Sequence, residues 1–190
     1  MHKHLRRIVR NDSGVAALEV AFILPFLLFL YFGLVDLTAM ISLNRKVTYG
    51  ASVVADLVTQ NDSKVIATDI DDYFKAAALV MKPTAMTNVR VEIYQYRNVS
   101  GTVTNQWSRK STTGAACKTP VTTGMTNLMT DGNDLIVAVL CTKYTPYVAT
   151  FLGTKVLGAT TFTMNEQIAL RPRQSATLDC YTTVAATTKC

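Results

Sequence analysis

One carboxylate, Glu19, stands inside an otherwise uncharged apolar run from Val15 to Val35. Of all the side chains capable of chemistry, it most needs a physical reason. An ionised acid at the centre of a membrane span costs about 2.5–3.5 kcal/mol on insertion scales, and less near an end. An acid in such a place ordinarily has a partner, so charge pairing in an apolar setting is the chemistry expected of Glu19. Catalysis finds much less to work with. Both histidines, His2 and His4, fall in the basic start of the chain, which leaves the remainder without an imidazole for a Ser-His or Cys-His pair. A structural role without enzymatic activity or cofactor is therefore expected. Asp69, Asp71 and Asp72 lie close together in sequence. Neighbouring positions on a helix point in different directions, so first-turn charge and capping is their expected role, with a calcium site as the remote alternative. The Asn61-Asp62-Ser63 and Asn98-Val99-Ser100 sequons are too common a pattern to carry a function.

The four cysteines, Cys117, Cys141, Cys180 and Cys190, all follow the apolar run. If that part is exported, they favour disulfides in an oxidising compartment. Of the three possible connectivities, Cys117–Cys141 and Cys180–Cys190 are preferred, the first tying a long loop to a strand and the second closing the tail. No C-x-x-C pair occurs, and a four-Cys zinc site needs closer spacing, so no metal is expected.

The element that positions Glu19 is the run itself. Its 21 residues, at about 1.5 Å of rise each, span a hydrocarbon core of about 30 Å. Phe, Leu, Ile and Val occupy every side from Val20 to Leu30, unlike the single apolar stripe of a core helix. Lys3, Arg6, Arg7 and Arg10 precede the span and outnumber Arg45 and Lys46 beyond it, which keeps the N-terminus in the cytoplasm and exports the rest. The net charge of +6 resides half in that start; the other half is scattered without a run, so nucleic acid is not an expected partner. A secretory signal is disfavoured, because the apolar run exceeds an h-region of about 7–15 residues and no small-residue cleavage region follows it. Pro25 removes one helical hydrogen bond in mid-span, so a kink is expected there.

Basic residues, then Gly14, then Val15-Ala16-Ala17-Leu18-Glu19 and an apolar run resemble the class III signal of type IV pilins. The fuller string GVAALEVAFILPFLLFLYFGLVDL, with Pro25, Gly33 and Asp36, resembles the TadE-like minor pseudopilins of tight-adherence (Flp-type IVb) pilus systems over roughly Gly14 to Met40. The stretch NEQIALRPR, Asn165 to Arg173, is similar to the late region of such proteins. The resemblance implies that residues 1–14 are a cytoplasmic leader and that a prepilin peptidase cuts between Gly14 and Val15. It implies that Glu19, fifth in the mature chain, meets the new amine of a neighbouring subunit. The implied partners are the peptidase, other pilins and pseudopilins, the inner-membrane assembly platform and the lipid bilayer. The implied location is the bacterial inner membrane, single-pass, with the C-terminal domain periplasmic and a place in a surface pilus open. Two alternatives stand beside this reading: a permanently anchored extracytoplasmic binding module, and a pseudopilin of a type II secretion system.

The expected fold is α+β and pilin-like: a transmembrane helix over 15–43 continuing into an extracytoplasmic domain over 44–190, with helices packed on an antiparallel sheet. Leu43, Val47, Gly50 or Ala51, Val54 and Val58 recur every three to four residues, which predicts that the first helix continues with one face to a core. Asn61 to Ser63 interrupts it, and a second helix is predicted from about Val65 to Met81, ended by Lys82-Pro83. Alternation predicts strands from Val89, from Val99 to Trp107 with a break near Ser100-Gly101, around Leu135 to Cys141, and over Thr160 to Leu170. Residues 108–133 read as loop, and the tail LDCYTTVAATTKC needs something to hold it.

Overall fold

A computed structural model describes residues 13–152, 161–185 and 187–190. The expected leader, with His2 and His4, therefore lies outside the described residues apart from Ser13 and Gly14. In chain order the elements are helix α1 (Ser13–Thr59), strand β1 (Lys64–Ile66), helix α2 (Ala67–Val80), strands β2 (Val89–Val99), β3 (Thr102–Lys110) and β4 (Asp134–Tyr144), helix α3 (Tyr147–Leu152), and strands β5 (Phe162–Leu170) and β6 (Asp179–Tyr181). The expected α+β architecture is present: a long apolar N-terminal helix, then a domain with helices packed on an antiparallel sheet. The chain divides into two compact units, one holding α1 up to Met40 together with the α3 segment, the other holding Ile41–Tyr144 and the chain from Thr161 onward.

In the second unit, the periodicity of α1 places Val47, Ala51, Val54, Ala55 and Val58 in the core. Gly50 belongs on the same face for a steric reason, since a Cβ there would come within 2.8 Å of Leu140. The helix stops where Asn61 turns its Nδ2 back to donate to the carbonyls of Leu57 and Val58, at 3.1 and 3.0 Å, covering acceptors that a helix end leaves open.

The four-stranded sheet has the order β3-β2-β4-β5, antiparallel throughout. Successive side chains alternate between its two faces, yet β4 is buried at every position from Asp134 to Thr142. One face carries Val91, Ile93, Ile136, Ala138 and Leu140, and Leu140 meets α1 there. The other carries Tyr94, Tyr96, Leu135, Val137 and Val139, which pack with Met125 and Met129 of the connection between β3 and β4. That connection, expected as plain loop, is thus the second cover of the sheet. Cys117–Cys141 fastens it, with S–S 2.01 Å and Cα–Cα 5.5 Å. The second bond joins Cys180 to Cys190, so the connectivity preferred from spacing is the one in the structure.

Three expectations need correction. The second helix starts at Ala67, not Val65, because the fully buried Val65 pairs in parallel with Cys180 to form the β1–β6 ribbon. This ribbon is what holds the tail. Val99 ends β2 instead of opening the next strand: Ser100 and Gly101 both have positive φ, 51° and 83°, and form a two-residue hairpin of the primed type. Of the expected first-turn charge and capping, Asp69 does stand in the first turn of α2, but the N-cap residue Ile66 makes no side-chain cap; Asp71 pairs with Arg109 and Asp72 with Lys75.

Charge at the covered face is tightly paired. Glu92 is buried on β2, where Arg90 Nε donates to it at 2.7 Å and the Tyr94 hydroxyl at 2.5 Å. Burial alone would push its carboxyl up, but these bonds, with Lys110 and the Cys117 amide, outweigh burial and hold it below the ordinary glutamate value. A carboxyl whose pKa is depressed on folding contributes stability above its unfolded pKa, and that contribution is lost as pH falls through the folded value. Denaturant midpoints read from Trp107 fluorescence should therefore fall as pH drops below about 4.5. The gap between wild type and Glu92→Gln should narrow over the same window; a gap constant between pH 6 and pH 3 would contradict this.

Candidate assembly site on the anchor helix

The first unit places Gly14, Val15, Glu19 and Pro25 on one helix, which continues without interruption through Pro25. From Gly14 to Leu37, side chains of every size stand exposed, including Phe22, Phe26 and Leu34, with Gly33 and Asp36 the exceptions. Such a length of uncovered apolar surface is not compatible with water. The helix is long and apolar enough to cross a membrane, and it is a membrane anchor.

Val15 and Glu19 are four residues apart and share a helix face, about 6 Å apart along the axis. Glu19 is exposed, and among the described residues no basic side chain pairs with it. Its charge thus faces outward from the helix near one end of the span, available to a group on another molecule. At Gly14 a Cβ would meet nothing within 4 Å, so its backbone is open to approach from the side. The cysteines take no part in this arrangement; both disulfides lie in the second unit.

Residues 14–56 match the family model described as TadE-like protein. The anchor segment is TadE-like. The TadE-like match begins at Gly14 and ends three residues before the end of α1, so the sheet domain lies beyond it. No curated protein and no solved structure matches the chain.

Within the TadE-like segment one residue acquires a role that its sequence position did not reveal. Asp36, whose only sequence signal is its place in the TadE-like string, is 6% exposed. Its Oδ1 accepts the Tyr147 N–H at 3.0 Å and its Oδ2 the Val148 N–H at 2.7 Å. These amides open α3, a helix that the pattern of strands and helices does not indicate. Thr145-Pro146 ahead of the apolar YVATFL was the available signal, a polar residue and a Pro at a helix start.

Proposed function

We propose that this chain is a minor pseudopilin of a tight-adherence (Flp-type) pilus, inserted in the bacterial inner membrane with its N-terminus in the cytoplasm and its sheet domain in the periplasm. The observation that carries the reading is the start of the TadE-like match at residue 14, the glycine that separates the basic leader from the apolar run. A prepilin peptidase hydrolyses the Gly14–Val15 bond, leaving a carboxylate on Gly14 and an ammonium on Val15. The freed helix then stacks with other pilins and pseudopilins at the inner-membrane assembly platform. There an isolated ammonium in an apolar bundle is costly, and Glu19 supplies the counter-charge. The protein's contribution is structural: it helps initiate, cap or regulate the pilus, and the chemistry belongs to the peptidase.

The test is processing. Intact mass of the membrane-extracted protein should show a chain beginning at Val15, and Gly14→Arg should remove at least nine-tenths of that product, because a small residue is required at the scissile bond. Full-length wild-type protein in cells with an active prepilin peptidase would instead leave a permanently anchored module.

A further inference from the structure

We propose that Tyr147–Leu152 is a second membrane element: a short helix embedded beside the anchor, in the half of the bilayer on the side of Asp36, and held there by the Asp36 carboxylate. The proposal rests on the reading of Val15–Val35 as the membrane span.

Three observations place the segment at membrane depth. Although β4 ends at Tyr144 and β5 begins at Phe162, the segment after β4 groups with the anchor part of α1 and not with the sheet domain. Tyr147 and Val148 line an apolar cavity of about 450 Å³ together with Pro25, Leu28, Phe29 and Phe32. All four of those partners are interior positions of the span, Pro25 being ten residues from Val15 and from Val35 alike. Finally, Tyr147 is 75% exposed while the rest of its cavity is apolar, so a large aromatic surface is offered to whatever surrounds the anchor.

The chemistry of Asp36 fits this location. A helix start leaves its first N–H groups without partners inside the helix. In water they are hydrated, but in hydrocarbon, backbone outside a spanning helix is tolerated only where protein groups satisfy it. Asp36 accepts two such N–H groups, and Pro146, just ahead, has no N–H to satisfy. The same bonds and the positive end of the short helix offset the carboxylate's own cost at that depth. The remaining wall of the cavity is then supplied by lipid acyl chains, the medium in which Pro25 to Phe32 already lie. The segment lies outside the TadE-like match.

The test uses the full chain in vesicles of phosphatidylethanolamine and phosphatidylglycerol, spin-labelled at single added cysteines under non-reducing conditions so that both native disulfides stay closed. Collision with oxygen and with a water-soluble nickel chelate reports depth. Tyr147→Cys should give an oxygen-to-nickel ratio within twofold of Leu28→Cys, and at least fivefold above Val121→Cys on the sheet domain. Adding Asp36→Ala should lower the Tyr147→Cys ratio at least threefold while Leu28→Cys is unchanged. A Tyr147→Cys ratio equal to that of Val121→Cys, with Leu28→Cys protected, overturns the proposal and leaves the anchor intact. An exposed Leu28→Cys overturns the span itself, and the proposal with it. An unchanged ratio in Asp36→Ala overturns the role of the carboxylate. Dipolar broadening that disappears on dilution with unlabelled protein would put a second copy, not lipid, against the cavity.

Discussion

Asp134→Ala should destabilise the sheet domain by about 3–5 kcal/mol, the range for removing one partner of a buried ion pair. The Asp134 side chain is fully buried, and its two oxygens accept from Arg97 Nε at 2.6 Å, Arg97 Nη2 at 2.9 Å and the Leu178 N–H at 2.7 Å. Hydrogen bonding to Asp134 raises the Arg97 pKa above its ordinary value against the pull of burial. A guanidinium stays charged even without that help, so removing the acid leaves a partly buried cation without its main partner. Asp179 lies 3.6 Å from Arg97 and offers only partial compensation. The loss also reaches the tail. Leu178 precedes β6, and its carbonyl accepts from Trp107 Nε1 at 2.9 Å. Heating followed by Trp107 fluorescence should show a midpoint lower by roughly 10–20 °C, with a red-shifted native spectrum as the Leu178 strand loosens. Asp134→Asn keeps an acceptor oxygen and should lose less. A midpoint for Asp134→Ala within 3 °C of wild type would falsify the view that this carboxylate joins β2, β4 and the tail.

That network also shows what the sequence could and could not convey. The anchor and its continuation were legible because each is written in consecutive residues: an apolar run without a polar side, then Val47, Val54 and Val58 at helical spacing. The start of the TadE-like match at Gly14 was legible for the same reason, since it lies in a short string at one boundary. Strand β1 was not. Val65 and Ile66 precede a helical pattern, and the partner that makes them a strand is Cys180, far along the chain. The role of Asp36 was hidden in the same way, because the amides it accepts from belong to residues 111 and 112 positions away. The hairpin at Ser100-Gly101 looks in sequence like a break within one strand, since Ser-Gly states a primed turn less strongly than Asn-Gly does. The loop before β4 could not be recognised as a cover because Met125 and Met129 sit among Thr, Gly and Asn, and their burial depends on the face of the sheet they reach. Local pattern reveals elements; partners distant in sequence decide what those elements do.

Glu19→Gln should abolish pilus output while leaving insertion and leader cleavage intact, and this outcome separates assembly from simple anchoring. Glutamine keeps the size and hydrogen-bonding capacity of glutamate but not its charge, and it removes an acid from the span, so insertion should be unchanged or easier. Cleavage after Gly14 should continue as well. What changes is the bundle. A neighbouring subunit's Val15 ammonium would enter an apolar helix stack without its counter-ion, at a cost of about 3–5 kcal/mol per contact. That is roughly a hundredfold to several thousandfold in each association step. Glu19→Ala should be at least as defective. Surface pili counted by shear release, and crosslinking between subunits within the membrane, should fall together in both variants, with the mature mass unchanged. Glu19→Asp keeps the charge on a shorter stem and should recover part of the output. Wild-type pili and normal crosslinks in Glu19→Gln would reduce the acid to an interfacial residue near the helix start, where the positive end of the α1 dipole already tolerates a carboxylate.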